Sequence, residues 1–404
     1  MIDYHLLLSV LIGVSILIIL ILKFKIQPFL GLLISSILVG VLAGVAPLEI
    51  MNTVKEGMGS TLGFVAVVVG LGAMFGAILE HSGGAEALAQ YLLKSFGEKN
   101  ASWALMITGF FIAIPVFFDV AFIILIPLVY SLQRKTKKSM LLYAIPLLAG
   151  LAITHAFIPP TPGPVAVADI LNADLGWVIL VGFIVGIPTA IVSGPIFGKF
   201  IASKIFIAAP KKIDEKVVDN FPPISLILSI IATPILLIVL NTLLNSPLGS
   251  SLNFSDKTIT WLQMIGHPFS ALIIANLMAW YLLGIRRGVS KAILSKITSA
   301  SLAPAGIIIL LTGAGGVFKQ MLITTGTGEM LANYFSSIGL SVLLFSFLAA
   351  VCVRILQGSS TVAMITAAGI TSSLITTPLG EFHTALIVIS IAAGASILSH
   401  VNDS

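Results

Sequence analysis

Hydrophobic positions run along this chain in blocks close to the ~20 residues that an α-helix needs to cross a bilayer. The blocks fall at about 3–22, 28–46, 61–79, 139–157, 176–197, 223–244, 261–283, 300–323 and 383–399, and each predicts a membrane-spanning helix. Two further apolar stretches, at about 101–130 and 338–380, are too long for one crossing. They are interrupted mid-way by IPVFFD and by RILQGSST. The expected fold class is an all-α polytopic membrane protein; a β-barrel would need short alternating segments, which the chain lacks.

The pattern repeats. GAMFGAILEHSGGAEALAQY (72–91) aligns without gaps on GGVFKQMLITTGTGEMLANY (315–334), with eight of twenty positions identical, Phe75/Phe318, Glu86/Glu329 and Tyr91/Tyr334 among them. The alignment continues through DVAFI (119–123) on TVAMI (361–365) and AGLAITH (149–155) on AGASILSH (393–400). The chain therefore reads as N-terminal helices over 1–60, a first repeat over 61–200, a loop and linking helices over 201–299, and a second repeat over 300–404.

Charge decides how the copies are oriented. If each interrupted stretch is a re-entrant hairpin, entering and leaving on one side, seventeen of the 21 lysines and arginines fall on the same face. That is the asymmetry of the positive-inside rule. Segment 61–79 then runs inward and its copy 300–323 outward, so the expectation is two inverted-topology repeats with re-entrant hairpins and broken helices. Such repeats are the architecture of many secondary transporters, which bind substrate near the midplane. The same topology accounts for the net charge of +5 without nucleic acid. The composition agrees: 58% of residues are hydrophobic and 9% charged, against about 25% charged in a soluble domain. No polar stretch is long enough for a soluble domain. The first segment has no basic region before it and no small-residue cleavage site, so a cleaved signal peptide is not expected. The single cysteine, Cys352, excludes an internal disulfide.

The polar residues inside these blocks are the candidates for chemistry, because charge is expensive in a membrane. Asp119 sits at the interruption of the first hairpin, either as a helix cap or as a proton or cation site at a cavity. In the second hairpin, Ser359, Ser360 and Thr361 open a half-helix without an acid. Free N–H groups and hydroxyls there suit a carboxylate, though neutral caps are common. Arg354, one turn earlier, is placed to neutralise an anion, to pair with Asp119, or to bond helix-end carbonyls. His155 and His400 occupy equivalent positions where a span gives way, suited to relaying protons or to bonding a carbonyl. Between them in the sequence, PPTPGP (159–164) would unwind the chain beside a polar cavity, since prolines remove backbone donors and irregular backbone at membrane depth must be enclosed. Thr161 and Gly163 offer a hydroxyl and close backbone approach there, and a plain turn would look the same. SGG (82–84) and TGTG (325–328) read as helix-end turns. No metal-ligand or nucleophile–base spacing occurs, so neither a cofactor nor an enzyme is expected.

THAFIPPTPGPVAVADIL (154–171), FFIAIPVFFDVAF (110–122), QGSSTVAMITAAG (357–369) and SHVNDS (399–404) resemble the gluconate permease family over the whole chain. The resemblance implies a bacterial inner-membrane symporter of the ion-transporter superfamily, taking up gluconate or a related sugar acid with protons. Its carriers include those for idonate, fructuronate and D-serine. It implies functional roles at His155, Pro159, Thr161, Gly163, Asp119, Gln357, Gly358, Ser359, Asn402 and Asp403; Asn402 is taken with the substrate and Asp403 with proton coupling. The family motif runs on past Ser404 to a last helix, and the first repeat continues after His155 through a span at 176–197, so a truncated form is expected. The residues do not read out an oligomeric state; elevator-like relatives suggest a homodimer.

Three other functions compete on the residues alone. A sodium-coupled carboxylate transporter would use the same Ser/Thr tips and carbonyls. An intramembrane enzyme would need the nucleophile–base pair or metal set that is missing, and a channel would leave the inverted repeats unexplained.

Overall fold

The structure, a computed structural model, describes residues 4–210, 221–245, 255–327, 330, 341–357, 359–375 and 379–398. All regular structure among them is helical, and seven helices are long and apolar enough to cross a membrane. Large apolar side chains point away from the protein along these spans, Leu11, Ile184, Leu236, Leu277 and Ile307 among them, as expected where lipid is the solvent.

The first repeat runs through α3 (Pro47–His81), α4 (Gly84–Phe96), α5 (Ala101–Ile112), α6 (Phe118–Thr136) and α7 (Leu141–Phe157). The second follows the same order: α14 (Lys291–Thr324), α15 (Val342–Gln357), α16 (Ser360–Ser372) and α17 (Glu381–Ala395). The long helices α3 and α14 have 35 and 34 residues. Each extends well before its expected apolar block, because no turn sequence follows Pro47 or Lys291 and polar positions continue the helix outside the bilayer. The expected span 261–283 begins later than the hydropathy suggests. Helix α12 (Asp256–Gly266) ends before His267, whose Nδ1 accepts from Phe269 N at 3.3 Å, and Pro268 opens α13 (Pro268–Met278). Proline at a first helical position lacks a donor that would have no intrahelical partner there.

Contacts divide the chain into two compact units. One comprises Gly70–Thr161 and Ile179–Ala303. In it α5 and α6 both lie along α7, and α4 packs on both of them and on α11 (Ile224–Asn245). The residues at the two ends of the first hairpin are joined: Glu98, just before α5, pairs with Lys135, in the last turn of α6. The loop after α6 is pinned to the segment after α10 (Phe197–Ala202), through Met140 N to Ile207 O at 2.8 Å, Ser139 Oγ to Ile205 O at 2.8 Å and Arg134 Nη2 to Pro210 O at 3.1 Å. Stretch 101–136 therefore leaves and returns at one end. Helix α5, with 12 residues, is about 18 Å long, short of the ~30 Å hydrocarbon core. Within the same unit, the Asn276 amide donates to Leu71 O at 2.9 Å, a polar tie of the kind that joins helices in lipid.

The other unit comprises Met1–Val69, Pro162–Val178 and Pro304–Ser404. Here α1 (Tyr4–Leu22) and α2 (Pro28–Leu42) form an antiparallel pair in which Ser35 Oγ donates to Gly13 O at 2.6 Å. The arms of the second hairpin, α15 and α16, pack on each other, and α17 lies along α15 with Ser390 Oγ donating to Leu343 O at 2.8 Å. The short helix α8 (Pro162–Ile170) packs on α16 and α17.

Candidate functional site

The proline-rich stretch is a break between two helices. Helix α7 ends at Phe157 and α8 starts at Pro162, with a cis Pro159–Pro160 bond between them. Thr161 is buried, and its hydroxyl donates to Ile158 O at 2.6 Å while its N–H donates to the same carbonyl at 3.3 Å. This threonine closes the turn. Pro162 and Pro164 fall in the first turn of α8, where proline is tolerated. The sequence from 156 to 168 is buried throughout, which meets the requirement that irregular backbone at this depth be enclosed.

In the unit that holds the first hairpin, its tip spans 113–117 and lies against α3. A Cβ at Gly76 would stand 2.0 Å from Pro115 O, so only glycine permits the approach. Asp119 lies in the first turn of α6, and Phe117 caps that helix without a side-chain hydrogen bond. The neighbouring Phe118 ring packs on the half-buried His155, from the last turn of α7, with centroids 6.4 Å apart. The structure thus brings His155 beside the helix start that carries Asp119.

In the other unit the second tip brings together a different set. Ser359 is the N-cap of α16, with φ −89° and ψ 125°; its carbonyl accepts from Ala363 N at 3.1 Å, and its hydroxyl makes no capping bond. Ser360 and Thr361 follow in the first turn, both partly exposed. Gly163 of α8 closes on this turn, where a Cβ would stand 2.7 Å from Met364 Sδ. Arg354, in the last turn of α15, is 1% exposed and donates from Nε to Ile397 O at 3.3 Å. Ile397 lies just past α17, so bonding a helix-end carbonyl, one of the roles the sequence leaves open for Arg354, is observed. The side chain of Gln357, and Gly358, His400, Asn402 and Asp403, lie outside the described residues.

Two charged residues escaped the sequence reading as a pair. Lys319, in α14, donates from Nζ to Ile170 O at the end of α8, and Asp169 next to that carbonyl attracts it. Both signals were present: Asp169 stands in the PVAVADIL block, and Lys319 replaces Gly76 in the repeat alignment. At the start of the next helix, α9 (Leu175–Ile191), Asp174 caps Trp177 N at 3.0 Å and Trp177 Nε1 donates to Glu381 Oε2 at 2.8 Å, tying that start to the start of α17.

Apolar helices long enough to span, two helical hairpins and a helix unwound at buried prolines define a multi-pass membrane protein. The GntP family permease pattern matches residues 5–404, and the chain belongs to that family. The gluconate permease of Pseudomonas aeruginosa is 37% identical over 407 residues, covering 100% of this chain and 89% of that one. The low-affinity gluconate transporter of Escherichia coli K12 is 39% identical over 397 residues, covering 97% and 88%. In fold the chain is similar to the YdaH transporter of Alcanivorax borkumensis, with a TM-score of 0.52 at 14% identity over 84% of this chain and 75% of that one. With bacterial permeases as relatives and, among the described residues, seven helices long and apolar enough to cross, it is a multi-pass inner-membrane protein.

Proposed function

We propose that this permease imports gluconate or a closely related sugar acid together with a proton. The observation that carries the reading is the near full-length match to proteins named for gluconate transport in two bacterial genera. The second hairpin tip supports an anion as cargo. It ends in a helix N-terminus whose cap hydroxyl is uncommitted to the helix, with hydroxyls at Ser360 and Thr361 and a buried guanidinium at Arg354 on the preceding helix. Amide groups and the helix dipole favour a carboxylate there. Gln357, Gly358, Thr161, Gly163 and Asn402 are assigned to the same substrate. Asp119, His155 and Asp403 are assigned to the relay along which the proton passes, because Asp119 lies on a helix whose start packs on a histidine.

Equilibrium binding to the purified protein tests the substrate. One charge-assisted hydrogen bond is worth roughly 1.5–3 kcal/mol, so Ser360→Ala is expected to weaken gluconate binding on the order of tenfold or more. Glucose, which lacks the carboxylate, is expected not to compete. Competition by glucose as strong as by gluconate, or normal binding by alanine variants at Ser359, Ser360 and Thr361, would move the carboxylate away from this tip.

A further inference from the structure

Asp169 and Lys319 are opposite charges within membrane-crossing helices of one unit. Both are half-buried. Lys319 Nζ donates to Ile170 O, the last carbonyl of α8. Its ammonium therefore occupies the C-terminal end of a half-helix, where the dipole favours a cation. In carriers that couple to sodium, carbonyls at such half-helix ends hold the ion. Here a tethered ammonium fills that position, and a carboxylate one residue before the carbonyl attracts it. The hairpin helix α16 runs past the same point. A Cβ at Gly315 would stand 2.3 Å from Ile365, and one at Gly369 would stand 3.3 Å from Gly315 O and 3.9 Å from Lys319 N. Helix α16 itself carries no ionisable side chain.

We propose that Asp169 is the carboxylate that takes up the proton travelling with the anion, and that Lys319 makes its protonation respond to the anion. This rests on the reading of the α16 tip as the carboxylate site. With the tip empty, Lys319 stabilises ionised Asp169. An anion at the tip shares that attraction and repels the Asp169 charge. Gly369, beside Lys319, lies nine residues along α16 from Ser360, roughly 13 Å at 1.5 Å per residue. At an effective dielectric constant near 20, a unit charge at that distance raises the proton affinity of a carboxylate on the order of tenfold. A proton from the solvent then adds to an Asp169 carboxylate oxygen; when the anion leaves, that proton returns to the solvent on the side of release. Coupling of this kind is reciprocal, so protonation strengthens anion binding by the same factor.

Other ionisable groups on the helices packed around this pair, within the unit and among the described residues, are few. Glu381 and His383 lie on α17, Glu49, Lys55 and Glu56 on the first part of α3, and Arg354 on α15. Glu381 is engaged by Trp177, Arg354 by Ile397 O, and Lys55 and Glu56 are exposed. Asp169 adjoins the carbonyl that anchors Lys319, and its charge acts on that ammonium.

The test is proton uptake on gluconate binding, followed with a pH indicator in weakly buffered detergent solution. With a tenfold coupling, the wild type is expected to take up as much as about half a proton per gluconate bound, at a pH midway through the Asp169 titration. Asp169→Asn, which imitates the protonated acid, is expected to bind gluconate, to take up no proton and to lose the pH dependence of its affinity. Asp169→Glu is expected to restore the uptake. If the wild type binds gluconate without taking up a proton, proton coupling itself fails and this inference with it. If the wild type takes up the proton and Asp169→Asn does too, or Asp169→Asn is folded but does not bind gluconate, the proton resides elsewhere and only the inference is overturned. Should Asp169→Asn not melt cooperatively, Asp169→Ser is read in the same way.

Discussion

Gly150 of α7 stands against the carbonyl oxygen of Met106 in α5 with no room for a side chain: a Cβ there would lie 2.2 Å from that oxygen. Gly394 holds the equivalent position in the second repeat, and its Cβ would lie 2.4 Å from the carbonyl of Phe347 in α15. The two repeats thus solve one packing problem in one way. Each sets α7 or α17 tightly along the first arm of its hairpin.

Because both obstacles are backbone, neither can swing aside. Gly150→Ala and Gly394→Ala are each expected to lose about 1–3 kcal/mol of stability, read as a lower melting temperature in detergent. Gly63→Ala provides the control, since nothing lies within 4 Å of a Cβ at that position. A Gly150→Ala protein as stable as the Gly63→Ala protein would contradict the packing.

Burial pushes the carboxyl of Glu86, in the first turn of α4, above the usual carboxylate range; a backbone hydrogen bond opposes this and the charge of Glu80 adds to it. A carboxyl whose value is raised on folding favours the native state below its unfolded value, and loses that contribution as pH rises through the folded one. Glu86→Gln removes the cost of ionising the group. Its melting temperature is expected to exceed that of the wild type at neutral and alkaline pH, with the gap closing in acid. A gap that does not change with pH would contradict it.

Topology can be read chemically in a background in which the exposed Cys352 is replaced by serine. Cysteines substituted for the exposed Lys94 and Lys135, one on each side of the first hairpin, are expected to react with a membrane-impermeant maleimide from the cytoplasmic side. A cysteine at Lys257 is expected to react from the outside. Labelling of positions 94 and 135 from opposite sides would refute the re-entrant first hairpin.

The sequence reveals what its breaks and charges encode locally. IPVFFD and RILQGSST mark hairpin tips because a polar or proline-rich interruption cannot continue an apolar helix, and PPTPGP marks a broken span for the same reason. Lysines suggest which ends share a face, and the Glu98–Lys135 pair joins the two ends of the first hairpin. The starts of α3 and α14 were not legible, because hydropathy reports where the lipid ends and not where the helix does. Thr161 was ambiguous because its bond to Ile158 O depends on a turn geometry that composition does not fix. Arg354 had several possible partners, and choosing Ile397 O required the third dimension. The pairing of Asp169 with Lys319 joins residues far apart in the chain. Each alone was visible as a charge in an apolar block, but nothing local connects them.

The central claim, proton-driven import of a sugar acid, is tested most directly by gluconate accumulation in proteoliposomes under imposed ion gradients. At one proton per anion, a pH gradient of one unit, acid outside, is expected to support about tenfold accumulation, and a sodium gradient alone is expected to support none. Accumulation driven by the sodium gradient and indifferent to the pH gradient would contradict the account.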